Sequence, residues 1–380
     1  MKRLRIGVLF GGRSTEHEVS ILSAQSIISA MDPDRFEPVP LYIDKEGRWL
    51  VGGSLKRLVS DDASREYVYL PPDPTQHSLI PADGFPSPAR GGGEGVGLPP
   101  LDVVFPIFHG LNGEDGTIQG LLELANVPYV GAGVLGSALG LDKIYMKRAF
   151  AAVGLPVVDY LAITRRKYEQ DPDAFVALVE QRIGYPCFSK FANSGSSVGT
   201  TKAHDRVELA EGLRLAASFD RKMLVERAVD ARELEVSVLG NDDPQASVVG
   251  EVVPAHEFYD YEAKYLDEGS RLLIPAPIEG HVADEVRAMA LKAFQAVDAA
   301  GMARVDFFLE RTSGRIILNE LNTIPGFTRI SMYPKLWEAS GLAYPKLIER
   351  LVELAIERHN DKQRSQTAID SRLLDPGGDG

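Results

Sequence analysis

Cysteine is almost absent: Cys187 is the only one among 380 residues, which excludes an internal disulfide framework and any multi-cysteine metal centre and fits a reducing cytosol. A small core residue is the simplest reading of that thiol. Long apolar runs are missing as well. No stretch approaches the length that crosses a bilayer, so membrane insertion is not expected. The opening MKRLRIGVLFGG carries basic residues and an apolar run, yet Gly11, Gly12 and Arg13 end it before a signal-peptide core is complete. It reads as a first β-strand of a cytoplasmic protein. Nor is there an excess of positive charge: the net charge is -13, with lysine and arginine scattered. No broad cationic face is left for a phosphate backbone, so nucleic acid is not an expected partner. A few placed lysines can still hold a nucleotide. No internal repeat is visible.

What is present is a globular composition, 44% hydrophobic and 25% charged, in a chain long enough for about two or three lobes. Leu4 to Phe10 and Val103 to Phe108 are apolar runs that end near glycines and lead into helix-like segments, the rhythm of a doubly wound parallel α/β sheet. Residues 1–132 form this N-terminal lobe, interrupted by a proline- and glycine-rich stretch, 71–100, read as a flexible loop without chemistry. Residues 133–228 make a smaller central lobe, with Lys143 and Lys147 on a helix and a strand near Pro186 to Phe191. Residues 229–359 make a C-terminal lobe that closes on an amphipathic helix bearing Leu347, Leu351 and Leu354 on one stripe. The polar residues 360–380 read as a disordered tail.

Two glycine motifs point elsewhere. Gly131-Ala-Gly133-Val-Leu-Gly136 satisfies G-x-G-x-x-G, with Asp159 at the spacing of a ribose-binding acid, so an NAD-dependent dehydrogenase is a rival reading. The motif lies well inside the chain, however, and would leave the downstream lysines unexplained. Gly195-Ser196-Ser197-Val198-Gly199 satisfies the G-x-S-x-G of α/β-hydrolases, with His281 downstream. A loop of small residues after Lys190 suits phosphate better, because its backbone N–H groups can converge on the oxygens.

The strongest signal is a hairpin, RVDFFLE-RTSG-RIILNELN. Side chains alternate along a strand, so a turn over Thr312 to Gly314 puts Asp306 opposite Glu320 and Arg304 opposite Asn322. Facing carboxylates repel, and a hard divalent metal with oxygen ligands, the kind that also binds phosphate, is a natural remedy. A solvated hairpin with ordinary surface charges is the alternative. The next residues, Thr323-Ile-Pro325-Gly326, supply a glycine at which backbone N–H groups can approach a substrate.

Together GGRSTEHEVS, HGLNGEDGTIQG, GLDK, KFANSGSSVGT, YDYEAKY, RVDFF and NELNTIPGFT resemble the D-alanine-D-alanine ligases of the ATP-grasp superfamily, in order, from Arg5 to His359. The resemblance implies a three-lobed ATP-grasp fold binding ATP between the central and C-terminal lobes, and a D-alanyl phosphate intermediate. It implies that Lys143 and Lys190 contact phosphates, that Glu226, Arg227, Ala228 and Val229 meet the adenine and that Glu233 reaches the ribose. Asp306, Glu320 and Asn322 would hold Mg2+, two ions by the family's convention, with Mn2+ as a substitute. Arg304 and the Gly326 N–H would form the oxyanion hole, although a structural ion pair is the plainer role for Arg304. Glu16 would pair with the ammonium of the first D-alanine near His109. Ser331, Met332 and Lys264 would receive the carboxylate of the second, while Ser196 and Tyr265 join Glu16 to latch a loop over the site.

Relatives that make D-alanyl-D-lactate differ at Lys264-Tyr265, so an amine nucleophile is favoured and the lactate ligase is the alternative. The family also implies a homodimer. Phe191 stands where proline is usual, and Ser189 where an apolar residue is, which leaves the path of that strand open.

Overall fold

A computed structural model describes residues 2–14, 16–52, 55–59, 66–82, 99–193, 195, 199–253 and 271–366. Three sheets follow one another along the chain. The first comprises β1 (Leu4–Gly11), β2 (Phe36–Ile43), β3 (Trp49–Val51), β4 (Glu66–Tyr69), β5 (Ile80–Pro81) and β6 (Val103–Pro106), in the order β5-β4-β3-β2-β1-β6. β1 lies between two parallel neighbours, β2 and β6, and is buried from Ile6 to Gly11, as the unbroken apolar run of a strand covered on both faces requires. The chain crosses to one side of β1 and then to the other, which leaves a crevice beyond its carboxyl end. β3, β4 and β5 are antiparallel additions, so only the half of the sheet formed by β2, β1 and β6 is parallel.

The start of the proline-rich stretch is ordered, contrary to the sequence reading. Leu79 is buried with Leu70 and Leu101, and β5 pairs with β4; apolar Leu79 and Ile80 outweigh the surrounding turn residues. Residues 83–98 lie outside the described residues.

The second sheet contains β7 (Tyr160–Thr164), β8 (Cys187–Phe191), β9 (Thr201–Ala203) and β10 (Lys222–Arg227), ordered β7-β10-β8-β9 and antiparallel throughout. Helices Pro172–Arg182 and Arg206–Phe219 cover one face, burying Val176, Val179, Leu209 and Leu213 against Cys187, Met223 and Val225. Ser189 belongs on this strand because its hydroxyl meets that of Thr201 at 2.5 Å, and Gly212 of the covering helix has no side chain to displace the pair. Phe191 stacks on Phe219 with ring centroids 5.2 Å apart, which accounts for a large apolar residue there.

The third sheet contains β11 (Ala231–Gly240), β12 (Gln245–Val253), β13 (Arg271–Leu273), β14 (Gly301–Glu310) and β15 (Ile316–Asn322), ordered β13-β12-β11-β14-β15. Strand alternation, interrupted once by an extra residue at Asn319 on β15, sorts its faces. Leu234, Val236, Val238, Ala303, Val305, Phe307, Leu318 and Leu321 pack against helix Gly280–Ala296 and against Met146 and Phe150. Glu235, Arg304, Asp306, Glu320 and Asn322 are left on the opposite side.

The last helix, Tyr344–Lys362, buries Leu347, Ile348 and Leu351 in the same core as Ile6, Val8 and Ala24 of the first lobe. It therefore fastens the third lobe beneath the first sheet. It continues to Lys362 through the start of the expected tail, where Lys362 pairs with Glu123 and Gln363 donates to Asn126 at 2.6 Å. Residues 367–380 lie outside the described residues. Among the described residues no helix is long and apolar enough to cross a membrane.

Candidate active site

A cavity of about 640 Å³ opens between the second and third sheets, lined by Lys143, Phe188, Lys190, Glu226, Arg227, Ala228, Val229, Glu233, Glu235, Asp306 and Glu320 among others. Its third-sheet wall follows from register. β14 pairs Arg304 with Asn322 and Asp306 with Glu320, the pairing expected from the hairpin, and β11 sets Glu235 beside Asp306. Three carboxylates thus stand in one row across three strands.

Protein cations offset that charge. Arg304 donates to both oxygens of Asp306 at 2.7 Å and lies 3.0 Å from Glu235, while Lys143 donates to Glu320 at 2.8 Å. Asn322 donates to Asp306 at 3.1 Å. Among the described residues no three acidic, histidine or cysteine side chains are gathered as a metal cluster. The row does supply only oxygen donors, Asp306, Glu320 and the Asn322 amide oxygen, which is the set a hard divalent cation takes when it also binds phosphates. The residues therefore fit such an ion, provided Asp306 and Glu320 exchange their protein partners for it.

The second-sheet wall is organised by Glu226. Its carboxylate is buried, with one oxygen 2.9 Å from Lys147 Nζ and the other 2.7 Å from Lys190 Nζ. Burial alone would raise its pKa, but the two ammonium groups pull it down to about 2. The side chain of Glu226 is thus engaged by lysines, and the residues after it, Arg227, Ala228 and Val229, line the cavity. The Arg227 guanidinium turns toward Glu310, 3.4 Å away. Helix Lys143–Ala152 is fixed by Asp142, which caps Ile144 and Tyr145 N–H at 3.1 Å and pairs with Lys222.

A second group of residues meets at the crevice beyond β1. Glu16 is buried beside Gly110 and Gly195, and a Cβ on Gly195 would stand 2.5 Å from Glu16 Oε2. His109 Nδ1 donates to the Ile324 carbonyl at 2.9 Å, and burial, ahead of the opposing pull of Glu16, keeps its pKa low and the ring neutral. Its other nitrogen is buried without a hydrogen-bond partner among the described residues. Glu114 accepts from the N–H groups of Gly110 at 2.8 Å and Ile324 at 3.1 Å.

Gly326 follows on the same loop. Ser331 Oγ accepts from the Thr328 N–H at 3.1 Å at the start of helix Met332–Ala339. Met332, its first residue, is buried against Val252 and Leu336. Ser196, Lys264 and Tyr265 lie outside the described residues.

Sequence reasoning missed three residues here. Lys147 sits one turn after Lys143, on the same helix face, a spacing that could have flagged it. Glu235 is two residues after Glu233 and so shares its face. Glu114 had no periodic signal; its role depends on a contact between distant loops.

The G-x-G-x-x-G reading is corrected by packing. A Cβ on Gly136 would collide with the Asp298 carbonyl, and one on Gly301 would stand 3.0 Å from Gly131 N. These glycines let the segment 131–136 approach the third lobe closely, and Asp159 points outward, with 79% of its side chain exposed.

The sequence matches the family models for the D-ala D-ala ligase N-terminus over residues 5–132 and the D-ala D-ala ligase C-terminus over residues 149–353. A D-alanine-D-alanine ligase of Heliobacterium modesticaldum is 50% identical over 382 residues, covering 98% of this chain and 100% of the relative. That of Geobacillus thermodenitrificans is 45% identical over 361 residues, covering 95% and 98%. Among solved structures, the D-alanine-D-alanine ligase from Coxiella burnetii superposes with a TM-score of 0.82 at 34% identity, covering 96% of this chain and 97% of its own. The VanG D-Ala:D-Ser ligase from Enterococcus faecalis gives 0.81 at 31% identity, covering 93% and 100%.

Proposed function

Since the chain belongs to the D-alanine-D-alanine ligase family, we propose that the cavity between its second and third sheets binds ATP and that the crevice beyond β1 binds D-alanine. The enzyme joins two D-alanines with cleavage of ATP to ADP and phosphate, for peptidoglycan precursor synthesis. The observation that carries the assignment is the cavity itself, with Lys143 and Lys190 on one side of the row Glu235, Asp306 and Glu320.

In this reading Lys143 and Lys190 engage the phosphates, the backbone of 226–229 meets the adenine edge and Glu233 takes the ribose. Asp306, Glu320 and Asn322 hold divalent metal, Mg2+ or Mn2+ and two ions in number, which supplies Lewis-acid neutralisation of charge on the transferring phosphoryl group. Glu16 pairs with the ammonium of the first D-alanine, and His109 lies beside it as a neutral ring. The carboxylate of that D-alanine attacks the γ-phosphate and ADP leaves. The amine of the second D-alanine attacks the resulting acyl carbon, loses a proton and expels inorganic phosphate as the amide forms. Arg304 and the Gly326 N–H are the donors for the oxyanion, where groups fixed in advance contribute most. Ser331, the backbone of Met332 and Lys264 receive the second carboxylate. Ser196 and Tyr265 join Glu16 to hold a loop closed, which protects the acyl phosphate from water.

We place the enzyme in the cytoplasm as a homodimer; sedimentation of the purified protein checks the latter. Release of ADP and phosphate with ATP and Mg2+ tests the reaction. Turnover is expected with D-alanine and not with L-alanine, and D-lactate or D-serine paired with D-alanine reports the second subsite. No ADP and no dipeptide from D-alanine would overturn the assignment.

A further inference from the structure

Lys147 is 1% exposed, does not line the cavity and has no part in the mechanism above. Lysine is almost never fully buried unless paired. Its ammonium lies 2.9 Å from Glu226 on β10 and donates to the Asn319 carbonyl on β15 at 3.2 Å. Asn319 is the extra residue at the register shift between Asp306-Glu320 and Phe307-Leu318, and a bulge leaves such a residue outside the ladder. One side chain therefore ties the second sheet to the third.

The helix that carries it is itself part of the third lobe's core through Met146 and Phe150. One turn earlier, Lys143 reaches Glu320 on β15. The two lysines share a helix face, with Lys143 reaching into the cavity and Lys147 lying behind it. Glu226 divides its oxygens: Oε1 is held by Lys147, and Oε2 orients Lys190 at 2.7 Å. Stability alone is a weak reason for such a group, because apolar replacements of buried ion pairs are commonly as stable. An apolar side chain could not fix the direction of the Glu226 carboxylate, or through it the place where Lys190 presents its charge.

We propose that Lys147 is a positioning residue for nucleotide binding: from behind the cavity it joins the two walls and, through Glu226, sets the position of Lys190. The inference rests on the cavity being the ATP site.

The test compares Lys147→Met, Lys147→Arg and the double variant Lys147→Met/Glu226→Gln in the full-length enzyme. Melting temperature, ADP release and direct calorimetric binding of a non-hydrolysable ATP analogue are measured. In Lys147→Met the KM for ATP should rise roughly tenfold or more, the loss of one charge-assisted interaction, with the KM for D-alanine within about twofold. Lys147→Arg should recover part of this. The double variant, with no unpaired buried carboxylate, should regain melting temperature but not ATP affinity.

Unchanged ATP affinity in any folded Lys147→Met protein overturns the proposal. So does a loss that tracks only the folded fraction, or failure of all three variants to fold, because a purely architectural lysine then suffices. If wild-type enzyme binds the analogue but makes no dipeptide, the ligase assignment fails while the calorimetric comparison still decides the role of Lys147.

Discussion

Glu114, in the first lobe, accepts a hydrogen bond at 3.1 Å from the backbone N–H of Ile324, 210 residues further along the chain. The Ile324 carbonyl is held from the same lobe by His109 at 2.9 Å. Both backbone groups of Ile324, on the loop that carries Gly326, are thus held from the first lobe.

Burial, together with the nearby charge of Glu16, raises the Glu114 pKa to about 8. The folded carboxyl keeps its proton where the unfolded one has lost it, from the ordinary value of 4.5 up to about 8. Its contribution to stability is therefore complete below that ordinary value and lost as pH rises through about 8, with a slope of at most about 1.4 kcal/mol per pH unit. Glu114→Gln should flatten this dependence. It also turns an amide NH2 toward one of the two backbone donors, at a cost of about 1–3 kcal/mol. Urea unfolding at pH 5, 6.5 and 8 measures both; parallel curves for wild type and variant would refute the protonation assignment.

Gly136→Ala tests the purpose of the glycine motif. The new methyl meets the Asp298 carbonyl, which is backbone and cannot swing aside, so about 1–3 kcal/mol of stability should be lost. Addition of NAD or NADH should restore none of it in a thermal melt. Protection by either dinucleotide would revive the dehydrogenase reading.

Alternation along strands is the part of this site that sequence made legible. The pairs of Arg304 with Asn322 and Asp306 with Glu320 are those expected, although alternation from the turn is interrupted once: Asn319 is an extra residue after Phe307-Leu318, and this bulge brings Glu320 opposite Asp306. Facing carboxylates call for a cation, and the protein's own Arg304 and Lys143 offset Asp306 and Glu320. Arg304 stands two residues from Asp306 on the same strand, but nothing local in the sequence says that a distant helix lends Lys143 to Glu320. The same limit hid the partners of Lys147 and Glu114, which are Asn319 and Ile324. Composition misled at Leu79, since one buried leucine can order a stretch that its prolines mark as loop. Local spacing likewise allowed a dinucleotide as a rival reading at Gly131 to Gly136, where the actual demand is close contact with Asp298 and Gly301.

Gly195→Ala addresses the crevice. A Cβ there would stand 2.5 Å from Glu16 Oε2, so the carboxylate must move from the place proposed for the first D-alanine's ammonium. Displacement of a positioning group by about 1 Å can cost on the order of a hundredfold in rate. A ten- to hundredfold fall in kcat/KM for D-alanine is expected, with binding of the ATP analogue unchanged. Equal weakening of both ligands would mean that the loop serves the nucleotide rather than Glu16.

Glu320→Gln separates the protein's own ion pairing from metal binding. The glutamine oxygen can still accept from Lys143, which donates to Glu320 at 2.8 Å, so the fold should persist. What it cannot supply is the negative charge that a divalent cation needs. Wild-type enzyme should gain about 2.7 kcal/mol of stability from ATP at a hundred times its dissociation constant when Mg2+ is present, and less when EDTA removes the metal. In the variant the two melts should coincide, and ADP release should fall by roughly two orders of magnitude or more, as expected when charge stabilisation of the transferring group is lost. A variant that keeps wild-type turnover, or keeps the difference between Mg2+ and EDTA, would show that the metal is held by other residues.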